Sequence, residues 1–247
     1  MSIVDGDDGV HSVHAAGAFV APKAKPLARL RRATLHSDLH PVREESMATA
    51  ALNRYTPEEY LALERHAEFK SEYIDGRIIA MSPGAKRPHN LIISALSHQL
   101  EGHLMDGPCE VYSNTQRVKV SATTDYLYPD VVVSCDPQFE AGGNDNLLTP
   151  VLIVEVLSDS TERHDREKKF SLYKRIESLR EYVMISQKEV LVERYVRQGD
   201  LWPRSEVTDL EGSLSLASVG LEIPLRRLYR KALMPTRNVP RAVQDGE

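Results

Sequence analysis

The stretch "PVLIVEVLSDST", residues 150–161, contains a run over 151–157 that is apolar at every position except Glu155. An uninterrupted apolar run of this length, without in–out alternation, predicts a central strand covered on both faces. A carboxylate in such a place costs several kcal/mol unless it is protonated or paired. Upstream, "YPDVVV" (128–133) sets a second acid, Asp130, directly after Pro129 and before another apolar run. If the two strands are neighbours, the carboxylates stand about 5 Å apart, and their repulsion is on the order of 3 kcal/mol at an effective dielectric of 20. A divalent cation between them would turn that penalty into attraction. Hard cations such as Mg2+ take oxygen ligands, usually one or two carboxylates completed by water and substrate phosphate. The plainer alternative is that each acid takes a nearby Arg or Lys as its partner.

The helix expected over about 161–177 bears on that choice. At 100° per residue, Phe170, Leu172, Tyr173, Ile176 and Leu179 share one apolar arc. Lys169 falls near the centre of the arc and Asp165 one turn earlier, whereas Lys168, Lys174 and Arg175 fall at its edges or outside it. A lysine held against the sheet beside two acids can neutralise charge developing at a phosphate or orient an attacking water. It can also be a snorkelling stem whose head pairs with Glu155 or Asp165.

Working outward, "TPEEYLALE" predicts a helix with Thr56 as N-cap, Pro57 at the first position and Glu59 three residues after the cap. "SEYIDGRIIAMS" predicts a hairpin turning at Asp75-Gly76. "HNLIISALSHQLEGHL" predicts a helix whose apolar face gathers Ile92, Ile93, Leu96, Leu100 and Leu104. Strands are expected near "QRVKV", "YPDVVVS" and "VLIVEVL", and a final pair at "EYVMIS" and "VLVERYV". The order predicts an α/β domain with a central mixed β-sheet flanked by helices.

Residues 1–46 mix Ala, Gly, Pro and His without an apolar period, and are expected to be disordered or an overextended start, with Met47 a sensible beginning. The domain is expected over 52–230 and a flexible tail over 231–247. The 247 residues carry a net charge of −5, with 41% apolar and 27% charged side chains. That balance is ordinary for a globular protein and argues against one that coats nucleic acid by bulk attraction. No apolar run reaches the roughly 20 residues of a membrane span. The start lacks a secretory pattern, so a cytoplasmic address and no membrane partner are expected. Cys109 and Cys135 lack metal-type spacing and are expected to be free thiols in a reducing compartment.

Together "SEYIDGRIIAMSP", the following His89, "YPDVVV", "PVLIVEVLSDST", "HDREKKFSLYKR" and "LREYVMIS" resemble the PD-(D/E)xK nuclease superfamily. More closely they resemble its Uma2 family (DUF820) of restriction-endonuclease-like proteins, from about Tyr55 to Tyr229. The resemblance implies a restriction-endonuclease-like core and Mg2+-dependent hydrolysis of DNA, with Mn2+ as a substitute. It makes Asp130 the acid of the Pro-Asp motif and Glu155 the second acid. The lysine usual two residues later is absent, because position 157 is Leu, and Lys169 takes its place. Glu72 matches an acid associated with such sites, or is an exposed hairpin residue. His89 belongs to the site or to helix packing, and Asp165 orients Lys169 or is a charge near the helix start. Asp130, Glu155 and the carbonyl of residue 156 would hold one Mg2+, which would polarise the scissile phosphate and activate water.

Two rivals stand against a DNA endonuclease. One is a catalytically weak or inactive nuclease-fold protein serving as a nucleic-acid-binding or scaffold module, and the intact Asp130, Glu155 and Lys169 count against it. The other is a glycosidase using two carboxylates. Aromatics at 6% and a single tryptophan, Trp202, rank it lowest. Arg117 and Lys119 alternate on one strand, either to touch phosphates or as a solvated face. A homodimer is expected by analogy only, since cutting two strands often takes two sites.

Overall fold

The computed structural model describes residues 54–81, 84–143 and 145–233. The chain divides into two units, 1–49 and 50–247, and every described residue belongs to the second. The expected extension over 1–46 lies outside the described residues, as does the tail beyond 233. The core itself reaches Ala232, which is buried.

The elements run α1 (Pro57–Glu64), β1 (Ser71–Ile74), β2 (Arg77–Ala80), α2 (Arg87–Leu104), β3 (Glu110–Ser113), β4 (Arg117–Val120), β5 (Asp125–Leu127) and β6 (Val131–Ser134). There follow β7 (Asn146–Leu147), β8 (Leu152–Leu157), a π-helical segment (His164–Lys169) and α3 (Phe170–Tyr173). The chain continues through β9 (Glu181–Ser186), β10 (Val192–Val196), β11 (Arg204–Val207), β12 (Ser213–Leu216), β13 (Leu221–Pro224) and α4 (Leu225–Tyr229). Among these no helix is long and apolar enough to cross a membrane.

Local chemistry accounts for the first elements. Thr56 Oγ1 accepts the Glu59 amide at 3.2 Å while Glu59 Oε2 accepts the Thr56 amide at 2.8 Å, a complete capping box. Thr56→Ala should lower the unfolding free energy by about 1 kcal/mol, read as a reduced urea midpoint. An unchanged midpoint would show that the box adds nothing. The helix is pinned by Tyr60, fully buried against Tyr73 and Tyr126 with ring centroids 5.2 and 5.6 Å away. The hairpin turns at Asp75 (φ 52°) and Gly76 (φ 78°), both left-handed as a two-residue turn requires. Asp125 Oδ1 accepts the Asp75 amide at 2.8 Å and ties the turn to β5.

The central sheet is mixed, in the order β11-β10-β9-β8-β6-β3, with β8 and β9 parallel and the other neighbours antiparallel. β8 is buried along its whole length, as its apolar run predicts. Val131, Val133, Leu152, Val154 and Val183 point to one face, where they pack with Ile92, Leu96 and Leu100 of α2. Val132, Ile153, Leu157 and Met184 point to the other, with Val118, Leu127, Leu172 and Tyr173. Each large apolar side chain so buried contributes about 1.5–3 kcal/mol.

Three expectations change. A second sheet, β2-β1-β5-β4-β7, and a separate β12-β13 hairpin stand beside the central one, because apolar periodicity reports burial but not which strand pairs with which. The helix expected to about 177 ends as α3 at Tyr173, where the amides of Arg175 and Ile176 bond to carbonyls three residues back. Its apolar arc continues only because Ile176 and Leu179 are buried in the turn that follows. The cysteines are not free thiols. Cys109 and Cys135 form a disulfide beside the register pair Glu110–Ser134 of β3 and β6. Their 26-residue separation hid that adjacency, and the cytoplasmic address loses its cysteine argument.

Candidate active site

The register of β6 and β8 pairs Val131 with Val154, so Asp130 and Glu155 face each other one step further along. Asp130 Oδ2 accepts the Val156 amide at 2.7 Å, and Oδ1 lies 3.2 Å from His89 Nε2. His89 stands in the first turn of α2, and its other ring nitrogen, Nδ1, is buried without a partner among the described residues. Burial pushes the His89 pKa down, but the adjacent Asp130 outweighs it and holds the ring above its ordinary value.

Behind the pair lies Lys169, 5% exposed. Its Nζ is 3.0 Å from Glu155 Oε1, 3.1 Å from Glu72 Oε1 and 3.5 Å from Asp165 Oδ1, and donates to the Tyr128 carbonyl at 3.1 Å. The Tyr173 hydroxyl also donates to Glu155 Oε1, at 3.3 Å. Glu72 Oε1 accepts the Tyr128 amide at 3.1 Å, and Glu72 Oε2 meets His164 Nε2 at 3.0 Å. The peptide units around Tyr128 and Pro129 carry the chain from the five-stranded sheet into the six-stranded one. With the Tyr128 amide held by Glu72, its carbonyl by Lys169, and φ fixed at Pro129, Asp130 has little freedom to turn.

The charges do not balance evenly. Burial raises the Glu155 pKa above its ordinary value, and Asp165, Asp130 and Glu72 add to the rise against the pull of Lys169. Burial also raises Asp165. Glu72 is nearly as buried, yet Lys169, His164 and the Tyr128 amide overcome that burial and bring it below its usual value. Lys169 itself is held well above the ordinary lysine value, because Glu155 and Glu72 outweigh its burial. It is therefore an ammonium at neutral pH and not a base.

The donor set suits a hard divalent cation. Asp130 and Glu155 offer carboxylate oxygens from facing positions, and Glu155 Oε2 has no hydrogen-bond partner among the described residues. Among those residues no group of three or more His, Cys, Asp or Glu side chains could hold a metal. A cation here would take two carboxylates and complete its shell with backbone oxygen, water and phosphate.

The structure brings Asp130, Glu155, Lys169, Glu72, His89 and Asp165 into one cluster, so Glu72 is no exposed hairpin residue. Lys168 turns away to pair with Asp75 near the surface. Arg117 and Lys119 do not form an ordinary solvated face. Arg117 is buried over the Tyr60 and Tyr128 rings and donates to Asn146 Oδ1 at 2.6 Å, and Lys119 pairs with Glu140. Sequence reading missed His164. At 100° per residue it stands about 140° from Lys169, but the segment is π-helical, with the Phe170 amide bonded to the Asp165 carbonyl five residues back. Such π turns are rare and gather at functional sites. The "HDREKK" motif was the available signal.

The Uma2 family profile, described as "Putative restriction endonuclease", matches residues 57–226. The chain belongs to the Uma2 family. Two Synechocystis proteins, both uncharacterized, are similar to this Uma2 chain. The protein slr1290 is 36% identical over 185 residues, 74% of this chain and 95% of its own. The protein sll1609 is 36% identical over 155 residues, 62% of this chain and 87% of its own. A crystal structure from Anabaena variabilis, described as "a putative nuclease belonging to DUF820", superposes with a TM-score of 0.59. It is 20% identical and covers 71% of this chain and 97% of that one, a likeness in fold.

Proposed function

We propose that this Uma2 protein is a metal-dependent endonuclease that hydrolyses DNA phosphodiester bonds. The observation that carries the reading is the facing pair Asp130 and Glu155 with the buried Lys169 ammonium on one Glu155 oxygen and the other oxygen uncommitted. Asp130, Glu155 and the carbonyl of residue 156 would hold Mg2+, or Mn2+ in its place. When bound, the cation supplies Lewis-acid polarisation of the phosphate and a lowered pKa for a nearby water.

The chain's own residues do the rest. Lys169, fixed by Glu155, Glu72 and the Tyr128 carbonyl, places a positive charge where a phosphate would gather negative charge in the transition state. Its raised pKa keeps that charge at neutral pH. A water oxygen bonds to phosphorus as the P–O3′ bond breaks, leaving a 5′-phosphate and a 3′-hydroxyl. The proton shed by the water passes to solvent, and the departing 3′-oxygen takes one from it. The His164–Glu72 and His89–Asp130 contacts orient the carboxylates. Cutting both strands of a duplex would bring together two copies of the chain.

A second reading, a nuclease-fold module that binds nucleic acid without cutting it, draws on the fact that Lys169 already neutralises Glu155 and Glu72. One assay separates the two. Supercoiled plasmid and single-stranded DNA should be cleaved with Mg2+ or Mn2+ and remain intact in EDTA. Intact DNA with either metal would remove the nuclease reading, and cleavage in EDTA would remove the metal.

A further inference from the structure

Two depressions flank α2 and share Ser94 and His98 on its exposed side. The first, about 430 Å3, runs between α2 and the edge strand β3 and is lined mostly by hydrogen-bonding groups, Asn90, Ser97, Ser113 and Asn114 among them, with one carboxylate, Glu101. It reaches the site at both ends of the Asp130 contacts. Asn90 follows His89, and the Asn114 amide donates to the Asp130 backbone carbonyl at 2.7 Å. The second, about 400 Å3, lies between α2 and α4 and includes Arg227, Arg230 and Lys231.

The cations are unusual. "RRLYRK", residues 226–231, places four basic side chains in six positions of a chain whose net charge is −5. Arg226 is neutralised by Glu211. Arg227 donates to the neutral Gln99 amide oxygen at 2.9 Å, and neither it nor Arg230 nor Lys231 forms an ion pair among the described residues. Three exposed, unneutralised cations side by side repel one another and are relieved by a polyanion. The diameter of α2, about 10 Å, separates this patch from the first groove, a span a few nucleotides cover.

We infer that the surface crossing α2 at Ser94 and His98 is the path of one nucleic-acid strand, with sugar and base on the Asn90, Ser113 and Asn114 side of the first groove, beside Asp130, and following phosphates on Arg227, Arg230 and Lys231, away from Glu101. The proposal rests on the nuclease reading for what happens at Asp130, but its binding step can be tested apart from cleavage. None of the three cations belongs to the catalytic cluster.

The experiment compares the full chain with R227Q/R230Q/K231Q and with a control of equal charge loss, R65Q/R175Q/R180Q. Fluorescence anisotropy with labelled single-stranded and duplex DNA 20-mers, and with an RNA 20-mer, is measured over a range of salt. The triple variant should bind about tenfold or more weakly, with the salt dependence of log K reduced by about 2, as loss of three phosphate contacts implies. In cleavage, KM should rise in parallel while kcat stays within about twofold of wild type. The control should bind like the wild type. The single-stranded, duplex and RNA arms show which strand the path takes. Wild-type binding and KM in R227Q/R230Q/K231Q, or equal weakening in the control, would overturn the path and leave the nuclease reading standing. A chain that binds through these cations but cuts no DNA would keep the path and remove the nuclease.

Discussion

Lys169→Ala should lower the DNA cleavage rate by at least about 100-fold, the loss expected on removing one transition-state charge stabiliser, while Lys168→Ala stays near the wild-type rate. The neighbours differ in environment, not in chemistry. Lys169 is buried between Glu155, Glu72 and Asp165, and Lys168 pairs with Asp75 at the rim. Removing the Lys169 ammonium also leaves several carboxylates without their shared cation, a kind of change that costs about 3–5 kcal/mol. Lys169→Met, which keeps most of the volume, therefore accompanies it, with circular dichroism and urea denaturation to separate lost folding from lost chemistry. Mg2+ affinity by calorimetry should hold or rise, because the ammonium repels a cation and occupies Glu155 Oε1. Equal cleavage rates for the two lysine variants, or a dead Lys168→Ala, would remove Lys169 from its assigned role.

Asp130→Asn and Glu155→Gln should each abolish the calorimetric Mg2+ signal and lower metal-dependent cleavage by about 1,000-fold or more, since several kcal/mol of charge stabilisation go with the cation. Stability should move in a different sense. Burial and three neighbouring acids raise the Glu155 pKa and so oppose its charge, and replacing it with the neutral glutamine should leave folding unchanged or slightly favoured. Lys169 keeps Glu72, Asp165 and the Tyr128 carbonyl as partners. Asp130→Asn keeps an acceptor for the Val156 amide and should cost little. Wild-type Mg2+ heats in both variants would sink the metal site, and a large loss of stability in Glu155→Gln would make that residue a structural ion-pair partner first.

Much of this was legible in the chain. The Thr56 capping box, the Asp75-Gly76 turn and the apolar stripe of α2 are local, and local chemistry decides them. The run over 151–157 announced a strand buried on both faces, and one acid within it pointed to the candidate cluster. Lys169 was found by its misplaced position on an apolar arc, although that arc assumed α-helical spacing throughout.

What was not legible depends on partners far apart in sequence. Nothing in "QRVKV" shows that Arg117 lies over two tyrosine rings, and nothing near Cys109 points to Cys135. His164 was hidden because a π turn rotates it toward Lys169, and the single strand array divided into two sheets whose junction, at Tyr128 and Pro129, aims Asp130.

The sequence by itself determined which segments form strands and helices and which acids and lysine could not be ordinary surface charges, because burial period and turn chemistry act within a few residues. Only the tertiary structure decided which charges meet, because an ion pair such as Lys169–Glu72 joins groups nearly a hundred residues apart, through a strand register and a helix phase that short-range preferences do not set.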